Sequence, residues 1–368
     1  MVHGTDVFII GGGPAGLAAA IAARKKGFGV TVADGAPPPI DKVCGEGLLP
    51  DTLAALRELG VVMATSEGYP VRGIRFLEGE HEVAASFPGD QGIGIRRQVL
   101  HQRLVEQAMA CGVSLLWKTP VAGIRAGGVM LADGPVLARW IIGADGIGSR
   151  VRKWAGLDAP EPHDCRYAFR RHYRIRPWAD FTEVYWGENA QAYVTPVNRE
   201  EVSVVLLSRQ AEIRFASLDA KFPQLARRLE PAAHASAERG AVTMMQQLEH
   251  VYRGQVALIG DASGSVDAIT GEGLSLGFRQ AVALARALEA GDLSHYQDAH
   301  RRLARRPALM GRLLLLLDGQ TALRERTLRV LASNTDVFSR LLAIHVGAKS
   351  RAHLATAGAL LGWGFVAA

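Results

Sequence analysis

Val7-Phe8-Ile9-Ile10-Gly11-Gly12-Gly13-Pro14-Ala15-Gly16-Leu17 is followed by an alanine-rich run to Lys26, an apolar run from Val30 to Ala33, and Asp34. Four apolar residues ending at a glycine turn, then good helix formers without a breaker, predict strand, turn, helix and strand. The spacing Gly11-x-Gly13-x-x-Gly16 gives each glycine a task. Gly11 permits the tight turn, Gly13 lets backbone approach a pyrophosphate, and Gly16 lets the helix pack closely on the sheet. The helix N-terminus at Pro14 and Ala15 offers unpaired N–H groups and a positive dipole end to phosphates. Asp34 closes the second strand where an adenosine ribose would need an acceptor. The stretch therefore reads as a dinucleotide cradle in a doubly wound, Rossmann-like α/β sheet.

The 368 residues suffice for two domains or one large body with an inserted layer. Cys44, Cys111 and Cys165 are scattered and odd in number, so neither a disulfide framework nor a zinc site is expected, and a reducing, cytoplasmic setting fits. No basic region followed by an apolar core precedes the first strand, so no signal peptide is expected. The net charge of +6 equals the excess of eight arginines over Asp318 and Glu325 between residues 301 and 329. The charge belongs to one segment, which argues against a nucleic-acid-binding face.

Beyond Asp34, a proline-rich connection leads to Asp41-Lys42-Val43-Cys44-Gly45-Glu46-Gly47, a loop too polar for core and placed where such sheets carry ligand. Asp51 is expected to cap a helix from about Thr52 to Leu59 that Gly60 ends. Val71 to Phe76 and Glu82 to Phe87 read as a strand pair. Arg96-Arg97 opens a helix, an unfavourable place for a cation unless it answers an anion or is simply solvated. Short strands follow at 121–124, 129–131 and 136–138. The apolar run from Trp140 then meets Gly143-Ala144-Asp145-Gly146 and a helix begins at Ser149-Arg150. From Arg166 to Leu207, alternation predicts several antiparallel strands, with Tyr167, Phe169, Arg171 and Tyr173 on one face and Arg170, His172 and Arg174 on the other. Such a sheet commonly walls a substrate cavity. Gln255 to Ile259 returns as a buried strand ending in Gly260-Asp261, and Gly271-Glu272-Gly273-Leu274 starts a helix to about Ala290. The expected organisation is a discontinuous nucleotide domain (1–70, 88–160 and 250–300), an inserted antiparallel domain (71–87 and 161–249) and a C-terminal helical segment (301–368).

The Gly11-x-Gly13-x-x-Gly16 turn, Asp145-Gly146 after an apolar strand, and Gly260-Asp261 before Gly271-Glu272-Gly273 together resemble FAD-dependent monooxygenases of the para-hydroxybenzoate hydroxylase fold and their geranylgeranyl reductase relatives. The resemblance covers about residues 1–290. The Lys42 to Gly47 loop is most similar to the reductase branch, where a Cys-Gly pair sits beside the flavin. The resemblance implies FAD held by Gly11, Gly13, Pro14, Ala15, Gly16 and Asp34 on its ADP half, with Arg97 near the pyrophosphate. It implies Lys42, Cys44, Gly45, Gly260, Asp261, Gly271, Gly273 and Leu274 around the rest, with Asp145 and Gly146 supporting the loop under the phosphates. Asp261 would accept ribityl hydroxyls, and the helix from Gly273 would aim its positive end at the flavin N1 edge. Family members usually carry proline where this chain has Ala268. The halogenase Trp-x-Trp-x-Ile-Pro signature is absent, its nearest counterpart being Ala192 to Pro196. With no second dinucleotide fingerprint, NAD(P)H would bind transiently, or a partner reductase would supply electrons.

Two chemistries follow. The first is hydroxylation of a small aromatic or lipophilic, polyketide- or quinone-like substrate through a flavin hydroperoxide, with Tyr193 and Pro196 near the cavity floor and His172 polarising a phenol. The second is reduction of a carbon–carbon double bond, with Cys44 as proton donor or wall. A plainer reading makes His172 a structural histidine and Cys44 a small packing residue. A flavin-binding redox sensor without turnover is the non-enzymatic alternative. The uncharged run from Leu354 to Ala368 is too short to span a bilayer; it covers the substrate opening, packs on the core, or joins the arginines in peripheral membrane contact.

Overall fold

A computed structural model of the chain describes residues 4–157 and 165–349. The strand Gly4–Ile10 lies at the centre of the nucleotide sheet, parallel to Val30–Asp34 on one side and Gly134–Gly143 on the other. Ser114–Trp117 and Val256–Leu258 extend the parallel set outward, so the sheet is completed by a strand almost 250 residues from its first. Helices Pro14–Lys25 and Gly273–Ala290 pack on each other, and Val7, Ile9, Leu17, Ile21, Phe278, Ala281 and Leu284 are fully buried between them and the sheet. Continuous apolar strands and small helical residues allow this close approach.

The second sheet runs in the order Ala233–His234, Cys165–Arg174, Glu201–Ser208, Ala190–Pro196, Phe181–Gly187, Gly73–Glu78 and His81–Ser86. Arg239–Met244 pairs with the first half of Cys165–Arg174. All these pairings are antiparallel except Phe181–Gly187 with Gly73–Glu78. Three C-terminal helices, Ser294–Gly319, Thr321–Ser333 and Thr335–His345, complete the described chain. Phe76, Trp186 and Phe338 join the sheet to the last of them, the first two rings meeting edge to face at 5.7 Å.

Several expected boundaries move. The strand pair is displaced to Gly73–Glu78 and His81–Ser86, because Tyr69–Val71 pairs instead with Gly92–Gly94 in a three-stranded sheet with Gly47–Leu48. The runs at 136–138 and 140–143 are one strand of ten residues, since Arg139 interrupts the apolar pattern but not the backbone. Asp51 is not the cap. The helix is Pro50–Leu59 with Leu49 at its N-cap, while Asp51 accepts hydrogen bonds from Ser275 and Arg306. Gly60 does end that helix, with φ +81°. The run from Leu354 to Ala368 lies outside the described residues. No helix among the described residues is long and apolar enough to cross a membrane, and none of their His, Cys, Asp or Glu side chains cluster as a metal site.

Candidate functional site

A cavity of about 630 Å³ opens between the carboxyl ends of the parallel strands, the second sheet and the C-terminal helices. At one end its wall is largely backbone. Gly13, Pro14 and Ala15, the loop from Lys42 to Gly47, Ala144, Gly146, Gly260, Asp261, Gly271, Gly273 and Leu274 all line it. At Gly13, Gly45, Gly271 and Gly273 no atom lies within 4 Å of where a Cβ would stand, so the space above each is open. Gly11 and Gly16 do a different job. With φ +113°, a Cβ on Gly11 would overlap the Ala144 carbonyl, and one on Gly16 would overlap the Gly11 carbonyl oxygen. They close the turn on itself and present Gly13 to the cavity.

Asp34 and Asp145 also act on backbone, away from the cavity wall. Asp34 accepts from the Gly12 and Ala36 N–H groups at 2.7 and 2.8 Å. Asp145 accepts from Ser149 Oγ and from the Arg150 and Val151 N–H groups, fixing the start of helix Arg150–Trp154. Behind the glycine turn, neutral His101 donates to the Gly12 carbonyl from Nε2 at 2.8 Å and accepts from the Ile40 N–H at Nδ1. Burial holds its pKa below the ordinary value, consistent with that tautomer.

Charge is placed sparingly at this end. Arg97 lines the cavity and its buried Nε has no partner, a donor left for a ligand. Asp261 is backed by protein but opens to the cavity, and desolvation pushes its carboxyl up against the opposing influence of Arg97 and Lys42. The Lys42 ammonium lies 3.5 Å from where a Gly146 Cβ would stand. The N-termini of helices Pro14–Lys25 and Gly273–Ala290 both end at this wall. Glycine cradles, an unpaired guanidinium N–H and two helix N-termini suit an FAD.

The loop carrying Cys44 is fastened by residues the sequence showed but did not bring together. Glu46, fully buried with φ +58°, accepts from the Arg97 N–H at 2.7 Å and from His172 Nε2 at 2.6 Å. Burial alone would raise its pKa, but the hydrogen bond and charge of His172 and the charge of Arg170 lower it below the ordinary value. Arg170 spans Glu46 at 3.2 Å and both Asp41 oxygens at 2.8 and 2.9 Å, and Arg239 reaches Asp41 at 3.0 Å. The inserted sheet therefore ties this loop down through Arg170, His172 and Arg239. Cys44 lines the cavity and its Sγ accepts from the Glu46 N–H at 3.4 Å. His172 does not line the cavity: Glu46 takes one ring nitrogen and Ser236 the other, at 2.8 Å. Its expected role in polarising a phenol is replaced by this anchoring role. The signal for it was the placement of Arg170 and His172 on one strand face opposite a glutamate between two glycines.

Tyr193 lines the cavity, but Pro196 does not. The Tyr193 hydroxyl is within hydrogen-bond reach of Gln191 Oε1 at 3.1 Å and the Ile269 carbonyl at 3.3 Å, and burial pushes its pKa far up, so it stays protonated. Beyond Tyr193 the wall becomes apolar. Ile74, Phe76, Val184, Trp186 and Leu207 face Met310, Leu314, Leu317, Leu331, Phe338 and Leu342. Where the halves meet, buried Glu272 accepts from Arg306 at 2.7 Å and its carboxyl is pushed up by burial.

The profile of the FAD binding domain family matches residues 4–293. The chain belongs to that family of flavin-dependent oxidoreductases. It is 29% identical over 319 residues to a menaquinone reductase from Mycobacterium tuberculosis, covering 78% of each chain. It is 26% identical over 324 residues to a digeranylgeranylglycerophospholipid reductase from Methanosarcina acetivorans, covering 78% of this chain and 77% of that one. It is also 26% identical over 317 residues to a ubiquinone hydroxylase from Rhodospirillum rubrum, covering 77% and 72%. Among solved structures, a geranylgeranyl bacteriochlorophyll reductase-like protein from Thermoplasma acidophilum superposes with a TM-score of 0.76 at 20% identity, covering 98% of this chain and 99% of that one. That likeness establishes the shared fold.

Proposed function

We propose that the protein uses FAD to reduce a carbon–carbon double bond in a lipophilic, isoprenoid- or quinone-type molecule. The observation that carries this reading is the cavity itself: the Cys44 wall opens straight into a chamber lined by leucine, phenylalanine and tryptophan. Such a lining recognises length and apolarity and supplies few polar groups for orienting a small phenol. The names of the reductase relatives support it. When bound, FAD supplies hydride, with electrons drawn from NAD(P)H or a partner reductase. Cys44 stands on the same wall, where its thiol can give the matching proton, and the Glu46, Arg170 and His172 contacts hold it there.

Hydroxylation is the second reading, favoured by the Tyr193 hydroxyl at the edge of the chamber and by the hydroxylase relative. Turnover of an isoprenoid quinone without oxygen separates the two. Reduction predicts a product heavier by two hydrogens, formed anaerobically and slowed by Cys44→Ser on the order of 100-fold. A product heavier by one oxygen atom, formed only in air, would overturn it.

A further inference from the structure

We infer that the mouth of the apolar chamber is a docking surface for an anionic lipid bilayer. The inference rests on that chamber being the substrate site. Three of the six large apolar side chains most exposed among the described residues border this one cavity: Val242 at 43%, Leu313 at 40% and Leu316 at 46%. Val242 comes from the strand Arg239–Met244, and the leucines from the helix Ser294–Gly319. Leaving them in water is unfavourable unless something apolar meets them.

The same helix supplies the charge. At 3.6 residues per turn, Arg302, Arg305, Arg312, Leu313 and Leu316 fall within a stripe of about 100°. The three arginines are exposed and make no ion pair or hydrogen bond among the described residues. On the helix itself the stripe meets one acid, Asp298, at the end remote from the leucines. Asp318 is turned inward, where it pairs with Arg166 and Arg209. Unpaired arginines flanking exposed leucines complement a surface with anionic headgroups outside and hydrocarbon beneath. Seated there, the mouth faces lipid, and an apolar substrate enters without crossing water.

The test sediments the full-length, FAD-loaded protein with vesicles of phosphatidylglycerol and phosphatidylcholine, and with phosphatidylcholine alone, at low and high salt. Binding to the anionic vesicles that weakens with salt is expected. Each arginine near an anionic surface contributes about fivefold, so joint substitution Arg302→Gln, Arg305→Gln and Arg312→Gln weakens partitioning on the order of 100-fold. Leu313→Gln with Leu316→Gln, checked for retained flavin absorbance, weakens it as well. No sedimentation at low salt overturns the inference, as does unchanged binding by the arginine variant. Loss of binding on Leu360→Glu with Leu361→Glu, while the arginine variant still binds, moves the contact to residues 350–368 and also overturns it. A concentration-dependent dimer broken by the leucine changes, without vesicle binding, assigns the face to a second copy instead. Vesicle binding needs no turnover, so a failed reductase assay leaves this result standing and the converse holds.

Discussion

At the cofactor end of the cavity the wall is backbone, set by Gly13, Gly45, Gly271 and Gly273 with open space above each, whereas at the far end it is leucine, phenylalanine and tryptophan from helices and sheet. A backbone wall has one shape, fixed by turns and by buried ion pairs behind it. A side-chain wall has many near-equivalent shapes, because apolar groups of similar volume exchange at small cost. Rigid recognition of one cofactor and adaptable recognition of a greasy substrate thus call for different materials.

The largest test of this contrast is Gly16→Val. The new side chain would overlap the Gly11 carbonyl, and we expect a loss of more than about 4 kcal/mol and no folded flavoprotein, read by thermal unfolding and flavin absorbance. Arg170→Met comes next. It strands Asp41 and Glu46 without their shared cation and should cost about 3–5 kcal/mol in urea unfolding, partly restored by adding Glu46→Gln.

His300 lies outside both walls, on the first C-terminal helix, with Nε2 2.9 Å from Ser263 Oγ just after Gly260-Asp261. Burial pushes its pKa down to about 4. Between the ordinary value near 6.5 and that point the unfolded chain takes a proton that the folded one refuses. Stability should therefore fall as pH drops through this window, by about 3 kcal/mol at most. His300→Gln should flatten that part of the unfolding profile.

Gly13→Ala meets nothing in the protein, so thermal stability should hold while FAD affinity falls about 10- to 100-fold by titration, a loss of about 1.4–2.8 kcal/mol. Leu317→Met, in the apolar wall, should change stability by less than about 1.5 kcal/mol and leave FAD affinity untouched. If Gly13→Ala were as mild as Leu317→Met, the distinction between the two walls would fail.

The same contrast explains what could be read in the chain. The parallel sheet, the Gly11 to Gly16 turn and the helix from Gly273 were legible because each depends on local spacing and backbone conformation. A cavity under the inserted sheet was expected, but its lining was not legible, since Phe76, Trp186, Leu317 and Phe338 become neighbours only through tertiary packing and any of them alone reads as ordinary core. Glu46 and His172 fall between these cases. Their residues were noticed, but a buried carboxylate reaching 126 positions along the chain to its histidine leaves no periodic trace.

The late arrival of the Val256–Leu258 strand has a consequence for synthesis. In synthesis from the N-terminus, the strand that delivers Gly260 and Asp261 and the helix that begins at Gly273 follow the Gly11 to Gly16 turn by about 240 residues or more. The nascent protein must therefore wait, with half of its cofactor wall formed, until about residue 290 has emerged. Only then can both halves of the wall close on a flavin together.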